Sequence, residues 1–304
     1  MLLPFAYDTF YEPIEKPAFS ILTKRYNMPL REAQKIIDLG RLLCNDKVIK
    51  IKNQPICGEI KVLLFKPESK ALAPIFKSEN FMIFDKPSGI LVHPKTVTTS
   101  YSLLDEIRAY GTSKSNPAHR IDKETSGLVV AGLMREDEIA LKKMFEKKEI
   151  KKSYLAWVRG KIESFLVVDE PIKVRDDYST SKHKVEISSS GKAAKTIFKR
   201  LYYDNVLDAS LIEATPLTGR THQIRVHLFH IKHPIVGDPI YGVPFEVASN
   251  YLDNILSQQD RVKYMGAKRL MLHANMLDFS FNNTRYIIKS RIDFYKNREL
   301  ILKS

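Results

Sequence analysis

Pro117-Ala118-His119-Arg120-Ile121-Asp122-Lys123-Glu124-Thr125-Ser126-Gly127-Leu128-Val129-Val130-Ala131 is a polar loop that closes through Thr-Ser-Gly onto an unbroken apolar run. A short apolar, β-branched run of this kind reads as a buried strand. A loop entering such a strand presents its side chains rigidly at the end of a sheet, where sites form. Asp122 lies between Arg120 and Lys123, cations that favour its ionised form and leave a carboxylate available as nucleophile or base. The same local chemistry describes a turn aspartate beside a surface basic pair. Sequence around the loop has to decide between the two.

Outward from this segment, the 304 residues suffice for one large domain and a small one. Hydrophobic residues at 44% and charged residues at 28% exclude a disordered chain. Lys and Arg number 49 against 35 Asp and Glu, a net charge of +14 that points to a polyanionic partner. No apolar run reaches the roughly 18 to 20 residues of a membrane helix, and Pro4 and Asp8 interrupt the start where a signal peptide needs an apolar stretch. Cys44 and Cys57 are the only cysteines and are expected to be reduced. A cytoplasmic monomer without membrane contact is expected.

Residues 1–16 hold four aromatics and two prolines without a clear period and read as an arm. Ala33, Ile36 and Ile37 set a helix over Leu30–Leu39, with Gly40 as its stop. Strands are expected at Leu42–Cys44, Val48–Ile51 and Glu59–Phe65. Residues 17–66 carry ten Lys or Arg and four Asp or Glu, 10 − 4 = +6, so this module is suited to clamping a phosphate backbone. Pro67–Pro74 is Pro-bounded and marks a linker, taken as residues 67–76. Beyond it, from 77 to 304, strand patterns (Phe81–Phe84, Tyr154–Val158, Thr196–Tyr203, Ala209–Ala214) mix with a helix whose apolar face is Ala140, Leu141, Met144 and Phe145.

Ala33, Ile36, Ile37, Gly40-Arg41-Leu42, Val48 and Gly58-Glu59-Ile60 resemble the S-four-like RNA-binding domain found ahead of RNA-modifying domains, with Asn45-Asp46 where that family has asparagine-glycine. The 117–131 segment resembles the signature of RluA-type pseudouridine synthases, in which the aspartate of a His-Arg-Leu-Asp element is catalytic; Ile121 replaces the leucine. Four further elements match in order: Asp85–Pro94, Lys152–Gly160, Thr218–Leu228 and Arg269–Ala274. One position departs, since Lys232 precedes His233-Pro234-Ile235-Val236-Gly237-Asp238 where the family has glycine, and lysine tolerates a positive φ poorly. The resemblance implies an α+β fold, a mixed or antiparallel central sheet with flanking helices, preceded by a small α+β RNA-binding domain.

It also implies a cofactor-free isomerase that breaks a uridine's glycosidic bond, turns the uracil and rejoins it through carbon. Asp122 would attack covalently or remove a ribose proton, and Tyr154 would lie against the base and assist loss of its proton. Ile224, Leu228 and Ile231 share one helical face, so a helix is expected to begin near Thr221, with Arg220 at its positive end as an anion site. Arg225, on another face, is assigned to an ion pair with Asp122. Arg120, Arg220, Gln223 and His93 are assigned to substrate binding, with Arg120 filling the place of the extruded base. Lys142, Lys143, Lys147 and Lys148 would add affinity for RNA, ribosomal in preference to transfer RNA. His222, His227, His230 and His233 fit no standard zinc spacing, so no metal is expected. A non-catalytic RNA-binding chaperone and a histidine-based metal hydrolase are the rival readings.

Overall fold

The computed structural model describes residues 4–175, 177 and 182–301. Its contacts gather into two compact units. The first comprises the described residues to Ala71 with Pro94–Ala109, the second Leu72–His93 with the described residues from Tyr110. Among the described residues no helix is long and apolar enough to cross a membrane.

In the first unit β1 (Phe5–Pro17), α1 (Ala18–Tyr26), α2 (Leu30–Asp38), β2 (Leu42–Cys44), β3 (Lys47–Val48) and β4 (Pro55–Phe65) follow one another. The strands form an antiparallel sheet in the order β1-β4-β2-β3. Ile21, Leu22, Ala33 and Ile37 of the helices share a core with Leu42, Ile60 and Val62. Gly40, with φ +66°, stops α2 as expected. From Phe5 onward the stretch read as an arm is instead a strand, paired with β4 on either side of an irregularity between Glu12 and Lys16. Its two-residue period is hidden because Asp8 accepts the Tyr26 hydroxyl at 2.6 Å, so a polar residue occupies a partly buried place in the alternation. Cys44 is buried, Cys57 exposed, and both are free thiols.

The chain continues through β5 (Phe76–Lys77), β6 (Phe81–Lys86), α3 (Leu103–Tyr110), β7 (Asn116–Pro117), β8 (Ser126–Gly132), α4 (Arg135–Glu146), β9 (Lys151–Arg159), β10 (Phe165–Asp169), β11 (Ile172–Val174) and β12 (Val185–Ile187). After these come β13 (Lys195–Asp204), β14 (Ala209–Pro216), α5 (Gln223–His230), α6 (Phe245–Leu252), α7 (Gln258–Met265), β15 (Leu272–Phe281) and β16 (Thr284–Lys289). The insert Pro94–Ala109 carries most of α3 and groups with the first unit. Its Asp105 and Glu106 carboxylates accept the backbone N–H groups of Glu68 (3.1 Å) and Lys70 (2.5 Å). The start of the expected linker is therefore tied down.

The second unit is built on a sheet of order β10-β13-β14-β9-β15-β8-β6-β5, with β16 against β15 and β7 against β8. Every pairing is antiparallel except β15 with β8. The fold is thus α+β on a mixed sheet. Every residue of β8 is buried, the outcome its apolar run predicts. Leu128 and Val130 pack with Phe81, Ile83 and Leu141 of α4. A second core gathers Trp157, Phe198 and Ile212 with Ile224 and Leu228 of α5. At the mouth of β8 Gly127 has φ +109°, and a Cβ there would stand 2.2 Å from the Ala274 carbonyl oxygen. Only glycine lets β15 approach so closely.

Lys232 ends α5 at φ +67°. The N–H of Lys232 reaches the Phe229 carbonyl at 3.1 Å and that of His233 the Leu228 carbonyl at 2.9 Å, a left-handed helix end that normally takes glycine. Lys232→Gly should accordingly stabilise the protein by about 0.5–1 kcal/mol and raise Tm by roughly 1–4 °C. A lowered Tm in thermal unfolding would show that the lysine is not strained.

Candidate active site

The loop Ala118–Thr125 is held mostly through its backbone. Lys86, buried at the end of β6, donates from Nζ to the carbonyls of Pro87 (2.9 Å), Ile90 (2.9 Å) and Lys123 (3.1 Å). Three acceptors match the three hydrogens of an ammonium. Burial pushes the Lys86 pKa down to about 7, against the pull of Glu124 and Asp122. Ser88 Oγ donates to the Glu124 carbonyl at 2.6 Å and Gly89 N to the Lys123 carbonyl at 2.9 Å. The Glu124 carboxylate accepts from the Tyr251 hydroxyl at 2.8 Å and is paired with Arg261. His119 Nε2 accepts the Val130 N–H at 3.1 Å. Burial drives that imidazole down to about 3, so it stays neutral and able to accept.

With its backbone fastened, the loop aims Asp122 at Arg225. Arg225 Nη1 donates to Asp122 Oδ2 at 3.2 Å, which is the pair the sequence reading anticipates. Arg225 is also bound by a carboxylate that reading missed. Its Nε and Nη2 donate to Asp238 Oδ2 and Oδ1 at 2.7 and 2.8 Å. Side chains of Arg225 and Asp238 are 3% and 1% exposed, whereas that of Asp122 is 31% exposed. One cation therefore serves two carboxylates, leaving a single net negative charge whose open end is Asp122. His222 adds a further contact, with Nε2 3.7 Å from Asp122 Oδ2 and Nδ1 3.1 Å from the Tyr241 hydroxyl.

Burial works to raise the Asp122 pKa, but the charges of His222, Arg225 and Lys184 and the Arg225 hydrogen bond outweigh it, so the carboxyl lies below its ordinary value. Burial, aided by Arg225, pushes His222 down to about 4. At neutral pH the ring is thus uncharged, and the guanidinium supplies the main attraction. Arg225 itself is held in its charged form: burial alone would lower its pKa, but Asp238 and Asp122 raise it. Tyr154 is shifted upward by burial and then by Asp122, so its phenol stays protonated.

The remaining expected site residues separate. Arg120 is exposed, and among the described residues no ion pair holds it. His93 is exposed on the loop after β6. Gln223 departs from its assignment to substrate. It is 4% exposed. Its Oε1 accepts from Thr218 Oγ1 (2.7 Å) and Arg220 N (3.0 Å), and its Nε2 donates to the Lys195 carbonyl and to Thr196 Oγ1, both at 3.0 Å. A fully engaged amide has nothing left for a ligand; it closes the turn that leads into α5. Arg220 differs too. His222 takes φ +52°, so α5 starts at Gln223, and the exposed Arg220 side chain donates from Nε to the Ala193 carbonyl at 3.1 Å. The four histidines diverge: His227 binds Thr196 and Glu170, His233 binds Arg159, and His230 is exposed. Among the described residues no three His, Cys, Asp or Glu gather to hold a metal.

Missed residues were Asp238, His222, Tyr241 and Lys86. Asp238 and Lys86 had a signal in the sequence, since each stands inside a matched element, Asp85–Pro94 or His233–Asp238. His222 stands inside Thr218–Leu228 and had the same signal; Tyr241 lies outside the matched elements and had none.

A family model described as RNA pseudouridylate synthase matches residues 80–230. A protein of Helicobacter pylori (strain ATCC 700392 / 26695) named uncharacterized RNA pseudouridine synthase is 39% identical over 291 residues, 95% of this chain and 94% of that one. The protein of Nitrosomonas europaea named ribosomal large subunit pseudouridine synthase D is 35% identical over 180 residues, 58% of this chain and 51% of that one. Among solved structures, human RNA pseudouridylate synthase domain containing 1 superposes with a TM-score of 0.58 at 24% identity, over 75% of this chain and 86% of that one. The last likeness bears on the fold alone.

Removing the shared cation should be costly. Arg225→Met would leave two carboxylates facing each other without a counter-charge, a loss of about 3–5 kcal/mol at neutral pH. That corresponds to a Tm lower by roughly 6–20 °C. An unchanged Tm would mean that the trio carries no stability.

Proposed function

The chain belongs to the RNA pseudouridylate synthase family and is an isomerase acting on RNA, and on that premise we propose that Asp122 is its catalytic residue and structured ribosomal RNA its substrate. One observation carries the reading. A single carboxylate is partly open to solvent while its Oδ2 is engaged by an arginine that a second, buried carboxylate holds in place.

Among the described residues Asp122 Oδ1 accepts no hydrogen bond, whereas Oδ2 accepts from Arg225. Oδ1 is therefore the oxygen that meets the ribose of the target uridine, as nucleophile or as base. Cleavage of the bond between C1′ and N1 frees the uracil, which turns and rejoins C1′ through C5, any bond from Asp122 to C1′ breaking as the new one forms; the C5 proton then passes to water and N1 takes one up. Atoms and electrons balance without an oxidant. Tyr154 packs against the uracil and keeps water from the reacting face. Because a paired base cannot reach the carboxylate, the uridine must be extruded. Arg120, exposed and two residues from Asp122, takes the vacated position in the helix. His93 and Arg220, both exposed, contact the flanking backbone.

Affinity is supplied by the S-four-like module at residues 17–66, with its charge of +6, and by the exposed lysines of α4 and the turn after it, Lys142, Lys143, Lys147 and Lys148. That module, together with the ribosomal name of the Nitrosomonas europaea relative, favours ribosomal over transfer RNA. Residues 77–304 act as the catalytic domain, in the cytoplasm and as a monomer.

Asp122→Asn should bind RNA within about twofold of the parent yet lose more than about a thousandfold in single-turnover rate. Retained turnover would remove Asp122 from the chemistry. The carboxyl pKa lies below its ordinary value, near 3.9, so the reactive ionised form is kept down to that region and lost as pH falls further. The rate assigned to Asp122 should stay level between about pH 8 and 5 and bend down only below about pH 4; a half-maximal point near 6 would contradict this. Arg120→Ala should reduce the fluorescence rise of a reporter base beside the target by about tenfold in rate at unchanged affinity. An unaltered stopped-flow trace would dismiss the insertion role.

A further inference from the structure

We propose that the turn Asp238-Pro239-Ile240-Tyr241 is a positioning element that orients both neighbours of Asp122, Arg225 through Asp238 and His222 through Tyr241. Both neighbours are thereby directed at one carboxylate oxygen, and the other is left to react. The inference rests on the reading that Asp122 is catalytic and adds two residues that touch neither substrate nor the reacting atoms.

A guanidinium is a planar fork, and two parallel hydrogen bonds to one carboxylate fix its plane as well as its position. Asp238 makes such a pair with Nε and Nη2 of Arg225. Once that edge is fixed, the direction of Nη1 follows, and Nη1 meets Asp122 Oδ2 at 3.2 Å. Asp238 cannot turn away. Its Oδ1 also accepts the backbone N–H groups of Ile240 and Tyr241 at 2.9 and 3.0 Å. Gly237, with φ +79°, leads into the turn, and a Cβ there would fall 1.8 Å from the Arg269 carbonyl oxygen.

The same turn delivers Tyr241, whose ring is 1% exposed and lies 5.1 Å from the Arg225 guanidinium carbon. Its hydroxyl is 3.1 Å from His222 Nδ1 and 3.4 Å from the Val185 carbonyl. When the hydroxyl donates to Nδ1, the imidazole proton resides on Nε2, the atom that faces Asp122 Oδ2 at 3.7 Å. That separation is an electrostatic contact rather than a hydrogen bond. It is directed at the same oxygen that Arg225 engages. His222 holds this place with a left-handed backbone, φ +52°, the kind of strain a non-glycine residue carries where neighbouring contacts enforce it.

Two variants test the arrangement. Tyr241→Phe keeps the ring and its packing and removes only the hydroxyl; Asp238→Asn keeps an oxygen for the two backbone donors and breaks the fork. Single-turnover rates should fall by about tenfold for Tyr241→Phe and about a hundredfold for Asp238→Asn. RNA affinity should stay within about twofold for both. In a His222→Ala background Tyr241→Phe should cost less than about twofold more, because its target is gone. Parental rates in both variants, with Asp122→Asn inert, would overturn the role of the turn and leave the catalytic assignment standing. An undiminished Tyr241→Phe cost in the His222→Ala background would overturn the Tyr241–His222 arm. Turnover by Asp122→Asn would overturn the underlying reading itself. Should Asp238→Asn fail to fold, Tyr241→Phe and the His222 background decide the matter.

Discussion

A buried guanidinium that serves two carboxylates at once is the interaction on which the second unit's site depends. Arg225 is almost fully enclosed, and so is Asp238. Neither would be tolerated there alone, since an isolated buried charge costs several kcal/mol that only a well-formed pair offsets. Their bidentate contact meets that requirement and leaves one arm of the arginine over. Asp122 takes that arm at the edge of the enclosed region, where it is still open to solvent. Charge and access are thereby separated: the deep carboxylate fixes the cation, and the shallow one keeps its own negative charge and a free oxygen.

The backbone around Asp122 is arranged so that its side chain need not hold the loop. Lys86 takes carbonyls from both of the loops it joins, and Glu124 fastens the far side to Tyr251 and Arg261 of α6 and α7. Behind the loop, β8 is buried along its whole length between β6 and β15. Gly127 permits β15 to approach at the junction. A carboxylate on such a mount loses little conformational entropy when a substrate arrives, which is the usual reason for carrying a reactive group on a rigid strand end.

Gln223 and the histidines illustrate how a polar residue near such a site can be part of its frame. Each hydrogen-bonding atom of the Gln223 amide is used inside the protein. His227 is enclosed between Thr196 and the Glu170 carbonyl. Burial keeps His119 and His222 uncharged at neutral pH, which spares the region further positive charges and leaves the arginine as the dominant cation. The first unit follows a different economy: a small apolar core under an antiparallel sheet, with basic residues in excess over residues 17–66.

Residues within one element were legible in the sequence. The three- and four-residue spacing of Ala33, Ile36 and Ile37 placed α2, the apolar run after Ser126 placed β8, and the matched elements singled out Asp122, Tyr154 and Arg225. Periodicity reports which side chains share a face, and that is local information. The strand β1 escaped it because Asp8 interrupts the alternation for the sake of Tyr26, 18 residues away. The turn of Gln223 and the grip of Asp238 and Tyr241 escaped it as well, since nothing in a residue's own neighbourhood says which distant donor its carboxylate or hydroxyl will meet. The sequence by itself determined most of the elements and the family, and it singled out Asp122 as the candidate carboxylate. Only the tertiary structure decided which oxygen of that carboxylate is left open, because Asp122 and Arg225 lie 103 residues apart and the fold brings them together.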